Sequence, residues 1–210
     1  MYARYMKRPL DFIMSLAGII VLSPVLLVII LCIKLSSPGP IFFKQKRVGI
    51  HKSHFNILKF RTMRIDTPKD VPTHLLENPE QYITGIGRFL RKTSLDELPQ
   101  LFNILKGDMA VIGPRPALWN QYDLIAERDK YGANDILPGL TGWAQINGRD
   151  ELEIDVKARL DGEYVQKMSF LFDCKCFFGT ITSVLHHDGV VEGGTGELHR
   201  KNGNEKSTHL

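Results

Sequence analysis

The stretch Phe12-Ile13-Met14-Ser15-Leu16-Ala17-Gly18-Ile19-Ile20-Val21-Leu22-Ser23-Pro24-Val25-Leu26-Leu27-Val28-Ile29-Ile30-Leu31-Cys32-Ile33 runs for 22 residues without a charge. As a straight helix it would be roughly 33 Å long, against a hydrocarbon core of about 30 Å. Length alone therefore allows a membrane span. The run is too long for a cleavable leader, and no small-residue cleavage site follows it. Two features oppose a simple crossing. Ser23-Pro24 sits mid-run, where proline removes a backbone hydrogen bond and bends a helix. Basic residues flank both ends, Arg4, Lys7 and Arg8 before it, then Lys34, Lys44, Lys46 and Arg47 after it. The bias of cations toward the cytoplasmic side claims both ends, which one crossing cannot satisfy. The sequence predicts a re-entrant helix broken at Ser23-Pro24 that enters and leaves by one leaflet, with a single span as the alternative. The Ser23 hydroxyl would then meet the carbonyl that Pro24 leaves without a donor.

Outward from this segment, Ser36-Ser37-Pro38-Gly39-Pro40 reads as a turn. Residues 41–48 and 54–63 read as a small β-hairpin across a turn containing Gly49. Its second strand puts Lys59 and Arg61 on one face, beside a membrane and able to meet lipid phosphates or a bound anion. Pro68, Pro72 and Pro79 mark residues 66–81 as a loop.

Next comes Ser94-Leu95-Asp96-Glu97-Leu98-Pro99-Gln100-Leu101-Phe102-Asn103-Ile104-Leu105. Its apolar positions recur at helical spacing, Ser94 and Glu97 have capping-box spacing, and Pro99 sets a start near Asp96. Two adjacent carboxylates thus fall in a first helical turn, beside unpaired N–H groups and the positive end of the dipole. That environment also suits a phosphate. A capped surface helix would carry the same acids. Arg88, Arg91 and Lys92 just upstream turn the reading toward phosphoryl chemistry, which needs cations and often Mg²⁺ on a carboxylate. Downstream, Gly113-Pro114-Arg115-Pro116 fixes an arginine between two prolines. The loop Pro138-Gly139-Leu140-Thr141-Gly142-Trp143-Ala144-Gln145-Ile146-Asn147-Gly148-Arg149 has three glycines for close approach to a ligand, and Gln145, Asn147 and Arg149 as donors. No P-loop and no G-x-G-x-x-G is present, which removes kinase-like and dinucleotide-binding readings.

The runs Lys59-Phe60-Arg61-Thr62-Met63, Arg91-Lys92-Thr93-Ser94-Leu95-Asp96-Glu97-Leu98-Pro99-Gln100-Leu101, Gly113-Pro114-Arg115-Pro116 and Pro138-Gly139-Leu140-Thr141-Gly142-Trp143, in this order, resemble the bacterial sugar transferases, the monotopic polyprenyl-phosphate phosphoglycosyl transferases. The resemblance covers residues 1–187 and is to the small catalytic form. It implies transfer of a phosphosugar from a UDP-sugar, N-acetylated by family habit, to undecaprenyl phosphate, giving the undecaprenyl-diphosphate sugar and UMP. It further implies ping-pong chemistry with Mg²⁺. Asp96 would be the nucleophile, and Glu97 would hold the metal with it or position the pair. Lys59, Arg91, Arg115 and Arg149 would contact phosphate, and Gln145 would contact the nucleotide or sugar; Asp161 and Tyr164 fit positions of the family that could reach the nucleotide, but a solvated or packing role is the favoured reading of both. The implied location is the cytoplasmic face of the bacterial inner membrane, among its lipids, upstream of further glycosyltransferases in glycan assembly. A silent membrane-anchored scaffold and a nucleotide-sugar hydrolase are the competing readings.

The rest of the chain fits that picture. At 210 residues it suits one domain plus a tail, and a net charge of +4 gives no argument for nucleic acid. Cys32, Cys174 and Cys176 make no disulfide framework or metal spacing, and His186-His187 reads as a helix end. Residues 151–168 read as an amphipathic helix with Leu152, Val156, Leu160 and Tyr164 on its apolar side. Residues 170–186 suit either a core helix or an interfacial one. The expected fold is α+β: a re-entrant membrane helix over 1–36, a catalytic domain over 37–187, and a flexible tail over 188–210.

Overall fold

The computed structural model describes residues 1–67, 79–148 and 152–186. The apolar run forms a single helix, α1 (Lys7–Ser36), preceded by a π-helical turn at Tyr2–Met6. Pro24 lies inside α1 without interrupting it. The expected break is thus a local defect. Pro24 donates nothing to the Ile20 carbonyl, and the Ser23 hydroxyl donates there instead at 2.8 Å.

One face of α1 is buried from end to end, through Lys7, Asp11, Ser15, Leu26, Ile29 and Ile33. Ile19 and Leu22 pack on the core between them. The opposite face exposes Ile13, Leu16, Ile20, Val21, Leu27, Val28 and Leu31. An apolar stripe of this length facing outward marks a membrane-associated helix.

The hairpin forms as expected, with β1 (Phe42–Val48) antiparallel to β2 (His54–Phe60). Strand β2 is shorter than the sequence suggests. Past Phe60 the chain turns Arg61 inward, where its guanidinium donates to the carbonyls of Ser37 and Pro38 and to the Ser37 hydroxyl. Arg61 therefore fastens the exit of α1 and is not a phosphate-facing cation.

Helix α2 (Gly85–Lys92) is capped by Thr84, whose hydroxyl accepts from the Gly87 N–H at 3.0 Å. The acidic helix is split in two. Leu95–Glu97 make one 3₁₀ turn, and α3 runs from Gln100 to Lys106 with Pro99 as its N-cap. Ser94 enters at a φ of 56° and its side chain caps nothing, so the expected capping box does not form.

Strands β3 (Ala110–Ile112) and β4 (Gly139–Thr141) pair in parallel, joined through α4 (Tyr122–Asp129). The glycines at 139 and 142 approach the backbone of Gly113, not a ligand: a Cβ on either would sit 2.1 Å from a Gly113 atom. Helices α5 (Trp143–Ile146), α6 (Ile154–Lys167) and α7 (Phe170–His186) follow. The buried stripe of α6 runs through Ala158, Asp161, Gly162 and Tyr164, and so is turned away from Val156 and Leu160. The reason is close packing on α4: a Cβ at Gly162 would lie 2.5 Å from the Tyr131 Cβ. Helix α7 buries Asp173, Cys176 and Ser183 while exposing Phe170, Leu171, Phe178 and Ile181. One face thus packs on the core and the other is exposed.

The fold is α+β. Its main core comprises Ile57, Leu101, Ile104, Met109, Val111, Ile112, Tyr164 and Cys176. Helix α1 ends at Ser36 and packs on the core through Leu26, Ile29 and Ile33. Residues 79–82 of the expected loop form a 3₁₀ turn, whereas 68–78, Arg149, His187 and the expected tail lie outside the described residues.

A buried polar cluster joins α1 to α7. Asp173 Oδ2 accepts from Lys7 Nζ at 2.7 Å and from the Tyr2 hydroxyl at 2.6 Å, and Oδ1 accepts from the Tyr164 hydroxyl at 2.7 Å. Asp11 lies 3.7 Å from Lys7 and accepts from the Val111 N–H at 2.9 Å. Removing one partner of a buried ion pair leaves an uncompensated charge. Lys7→Met should therefore destabilise the detergent-solubilised protein by about 3–5 kcal/mol. Adding Asp173→Leu should recover part of the lost melting temperature.

Candidate active site

Asp96 and Glu97 share a single 3₁₀ turn, so adjacent side chains point in different directions and meet different neighbours. Strand β2 delivers Lys59, α2 delivers Arg91, and the loop after β3 delivers Arg115. Glu97 Oε1 accepts from Lys59 Nζ at 2.7 Å and from Arg115 Nη2 at 2.6 Å; Oε2 accepts from Arg115 Nη1 at 3.2 Å. Burial alone would raise the Glu97 carboxyl, but Arg115 and Lys59 outweigh it and hold the group well below the usual carboxylate range.

Asp96 is the contrast. Its residue is 8% exposed, yet its carboxylate has no hydrogen-bond partner among the described residues. Burial pushes the Asp96 carboxyl up to about 6, against the pull of Lys59; the Glu97 charge adds to the rise, and Arg91 and Arg115 oppose it. The two acids titrate as a pair. Near neutral pH Asp96 is mostly ionised and sparsely solvated.

Arg91 Nε donates to the Thr62 hydroxyl at 2.9 Å. Gly87 makes this possible, because α2 lies so close to Thr62 that a Cβ on residue 87 would sit 2.0 Å from the Thr62 carbonyl oxygen. Arg88 points elsewhere, pairing with Glu80 at the surface. Gln145 is buried, and among the described residues neither of its amide atoms has a hydrogen-bond partner; it lies next to Gly142 and hence to the Gly113 backbone.

Two expected contacts do not reach the site. The Tyr164 hydroxyl is buried against the Ile112 carbonyl and Asp173. Asp161 is buried against Arg128, with Oδ2 2.8 Å from Nε and 2.6 Å from Nη2. Both are committed to partners in the interior, as buried polar groups must be. Arg128 itself goes unnoticed in the sequence: it lies in an ordinary helical stretch 33 positions from its partner, and no local pattern signals the pair.

Among the described residues no three acidic, histidine or cysteine side chains cluster as a metal cage. Mg²⁺ needs no such cage when substrate phosphates and waters complete its shell around one or two carboxylates. Asp96 has both oxygens open, and Glu97 Oε2 has the looser contact, so the pair fits that mode. An open groove of about 470 Å³ lined by Lys44, His54, Leu58, Phe102 and Lys106 opens on the other face of β2 from Lys59, as the alternation of a strand requires.

Residues 2–187 match the family described as Bacterial sugar transferase. The chain belongs to the bacterial sugar transferase family. The transferase is 40% identical over 187 residues to a Bacillus subtilis (strain 168) protein named uncharacterized sugar transferase EpsL, covering 89% of this chain and 91% of that one. It is 40% identical over 186 residues to the UDP-glucose:undecaprenyl-phosphate glucose-1-phosphate transferase of Escherichia coli (strain K12), covering 85% of this chain but 40% of the relative. Against the undecaprenyl-phosphate galactose phosphotransferase of Salmonella typhimurium, identity is 35% over 202 residues, 90% of this chain and 42% of that one. The chain thus spans about two-fifths of these two longer relatives. The transferase is an enzyme of the phosphoglycosyl transferase type.

The electrostatics of the pair give a signed expectation. Lys59 favours ionised Asp96, so Lys59→Met should move the Asp96 titration upward from about 6. Carboxyl ¹³C shifts followed across pH check this.

Proposed function

We propose that this transferase moves a sugar phosphate from a UDP-sugar to undecaprenyl phosphate, through a covalent intermediate on Asp96, as the membrane-bound opening step of glycan assembly. The observation that carries this reading is the division of labour in the acidic pair. Glu97 is held by two cations, while Asp96 beside it is buried and accepts no hydrogen bond from any described residue.

In the first step an Asp96 Oδ attacks the phosphorus that bears the sugar. A new P–O bond forms, the bond to the nucleotide's phosphate breaks, and UMP leaves. In the second step a phosphate oxygen of the lipid attacks the same phosphorus. The aspartyl P–O bond breaks and Asp96 is regenerated as a carboxylate, a weakly basic group that leaves readily. Lys59, Arg91 and Arg115 offset the repulsion between an anionic nucleophile and an anionic diphosphate. Mg²⁺, held by Asp96 and Glu97 Oε2 with the donor's phosphates, would supply further charge neutralisation. Gln145 is a candidate donor to nucleotide or sugar, and Arg149 remains a proposed phosphate contact. The names of the relatives support undecaprenyl phosphate as acceptor and a nucleotide sugar as donor.

We further propose a monotopic placement on the cytoplasmic face, with α1 re-entrant. The end-to-end buried face of α1 supports this, together with the anchoring of both its ends: Lys7 to Asp173, and Ser37-Pro38 to Arg61. A crossing helix would have to pull one end off the domain.

Incubation with donor alone should yield a mass adduct of one phosphosugar on Asp96. Asp96→Asn should abolish the adduct and lower lipid-dependent UMP release by on the order of 10³-fold or more. An adduct elsewhere, or turnover surviving the change, removes the nucleophile assignment. For topology, Ala3→Cys and Leu35→Cys, each in a Cys32→Ser background, should both resist a membrane-impermeant thiol reagent added from the periplasmic side. Labelling at position 3 alone would establish a span.

A further inference from the structure

The loop that presents Arg115 contains two prolines and can donate few backbone hydrogen bonds, so it is fixed through its carbonyls. Four successive carbonyls are each taken by a different donor. Pro114 accepts from the Gly139 N–H at 2.8 Å, Arg115 from Arg128 Nη1 at 2.9 Å, Pro116 from Arg47 Nη1 at 3.0 Å, and Ala117 from the Val48 N–H at 3.0 Å. Two of these donors are main-chain groups of neighbouring strands and two are arginine side chains. The donor on residue 115 itself is the more buried of the two arginines. The Arg128 and Asp161 side chains are 4% and 1% exposed. Asp161 Oδ2 accepts from Nε and lies in ion-pair range of Nη2, while Nη1 donates to the Arg115 carbonyl. Beyond that carbonyl, the Arg115 guanidinium grips Glu97 with both terminal nitrogens.

A buried ion pair is a poor source of stability, because apolar residues of similar volume usually do as well or better. Its presence here is better explained by what it aims. We infer that Arg128, oriented by Asp161, is a positioning residue for the transfer reaction: it holds the Arg115 backbone so that the Arg115 guanidinium stays on Glu97 and leaves Asp96 unbonded. The inference rests on the function proposed above. Arg128 touches no substrate and acts only through Arg115. A displacement of about 1 Å at such a remove from the chemistry can cost about 10²-fold in rate.

The test is a set of variants in the full-length, detergent-solubilised enzyme, read as kcat and KM for the nucleotide sugar together with melting temperature. Arg128→Lys and Asp161→Asn should each lower kcat by about 10²-fold with KM changed less than about threefold, while Asp161→Glu should recover part of the loss. In an Arg115→Lys background, Arg128→Lys should add less than about threefold, since its effect passes through residue 115. The double variant Arg128→Met with Asp161→Leu keeps the interior packed. It should melt near the wild-type temperature yet remain slow, which separates aim from stability even if the single variants fail to fold. A fully active Met–Leu double variant, or independent multiplication of the Arg115 and Arg128 effects, overturns the inference. Wild-type protein that does not turn over removes the proposed function and this inference with it; an active wild type with unaffected variants removes the inference alone.

Discussion

The grip of Lys59 and Arg115 on Glu97 is the contact on which the site depends. Two carboxylates next to each other in a sparsely solvated turn repel, and both would drift toward neutrality without compensation. Giving both cations to one acid breaks the symmetry. Glu97 becomes a fixed negative charge inside a positive frame, and Asp96 is left to bear the rise. The elements that supply the frame come from distant parts of the chain, β2, α2 and the loop after β3, so the chemistry tests whether the whole domain has assembled. Arg91 shows how fine the tolerance is: only a residue lacking a side chain at position 87 lets α2 approach the strand end closely enough to set it on Thr62.

Two helices are built inside out relative to a soluble domain. The amino-terminal half of α1 buries Lys7, Asp11 and Ser15 while the helix exposes Ile13, Leu16, Ile20, Leu27 and Leu31 opposite its buried Leu26, Ile29 and Ile33; α7 buries Asp173 and exposes Phe170 and Phe178. Water does not drive such an arrangement, whereas a lipid surface does, because it rewards apolar exposure and makes any unpartnered polar group costly. The polar groups accordingly find each other, in the cluster of Lys7, Asp11, Tyr2, Tyr164 and Asp173. Membrane association and internal cohesion are thus one design in this chain.

Much of this was visible in the residues. The uncharged run over 12–33, the serine that compensates its proline, the hairpin around Gly49 and the acidic pair follow from local pattern, since each depends on neighbours a few positions away; Lys59, Arg91 and Arg115 are joined to the pair as phosphate contacts only through the family resemblance. What stayed hidden depends on partners distant in sequence. Nothing near Arg61 announces that it would fasten the turn after α1. Nothing near Tyr164 or Asp161 distinguishes a ligand contact from a buried hydrogen bond. The capping box at Ser94 does not form: the backbone there is left-handed and the side chain caps nothing. The glycines at 139 and 142 were legible as close-approach residues, but sequence does not say what approaches; here it is another strand end.

The bond between Lys7 and Asp173 joins positions 166 residues apart. During synthesis the apolar helix emerges long before its acidic partner on α7 exists. For that interval Lys7 and Asp11 have only each other, next to a segment already seeking lipid. The seam between α1 and α7 therefore closes only after the last described helix has been made.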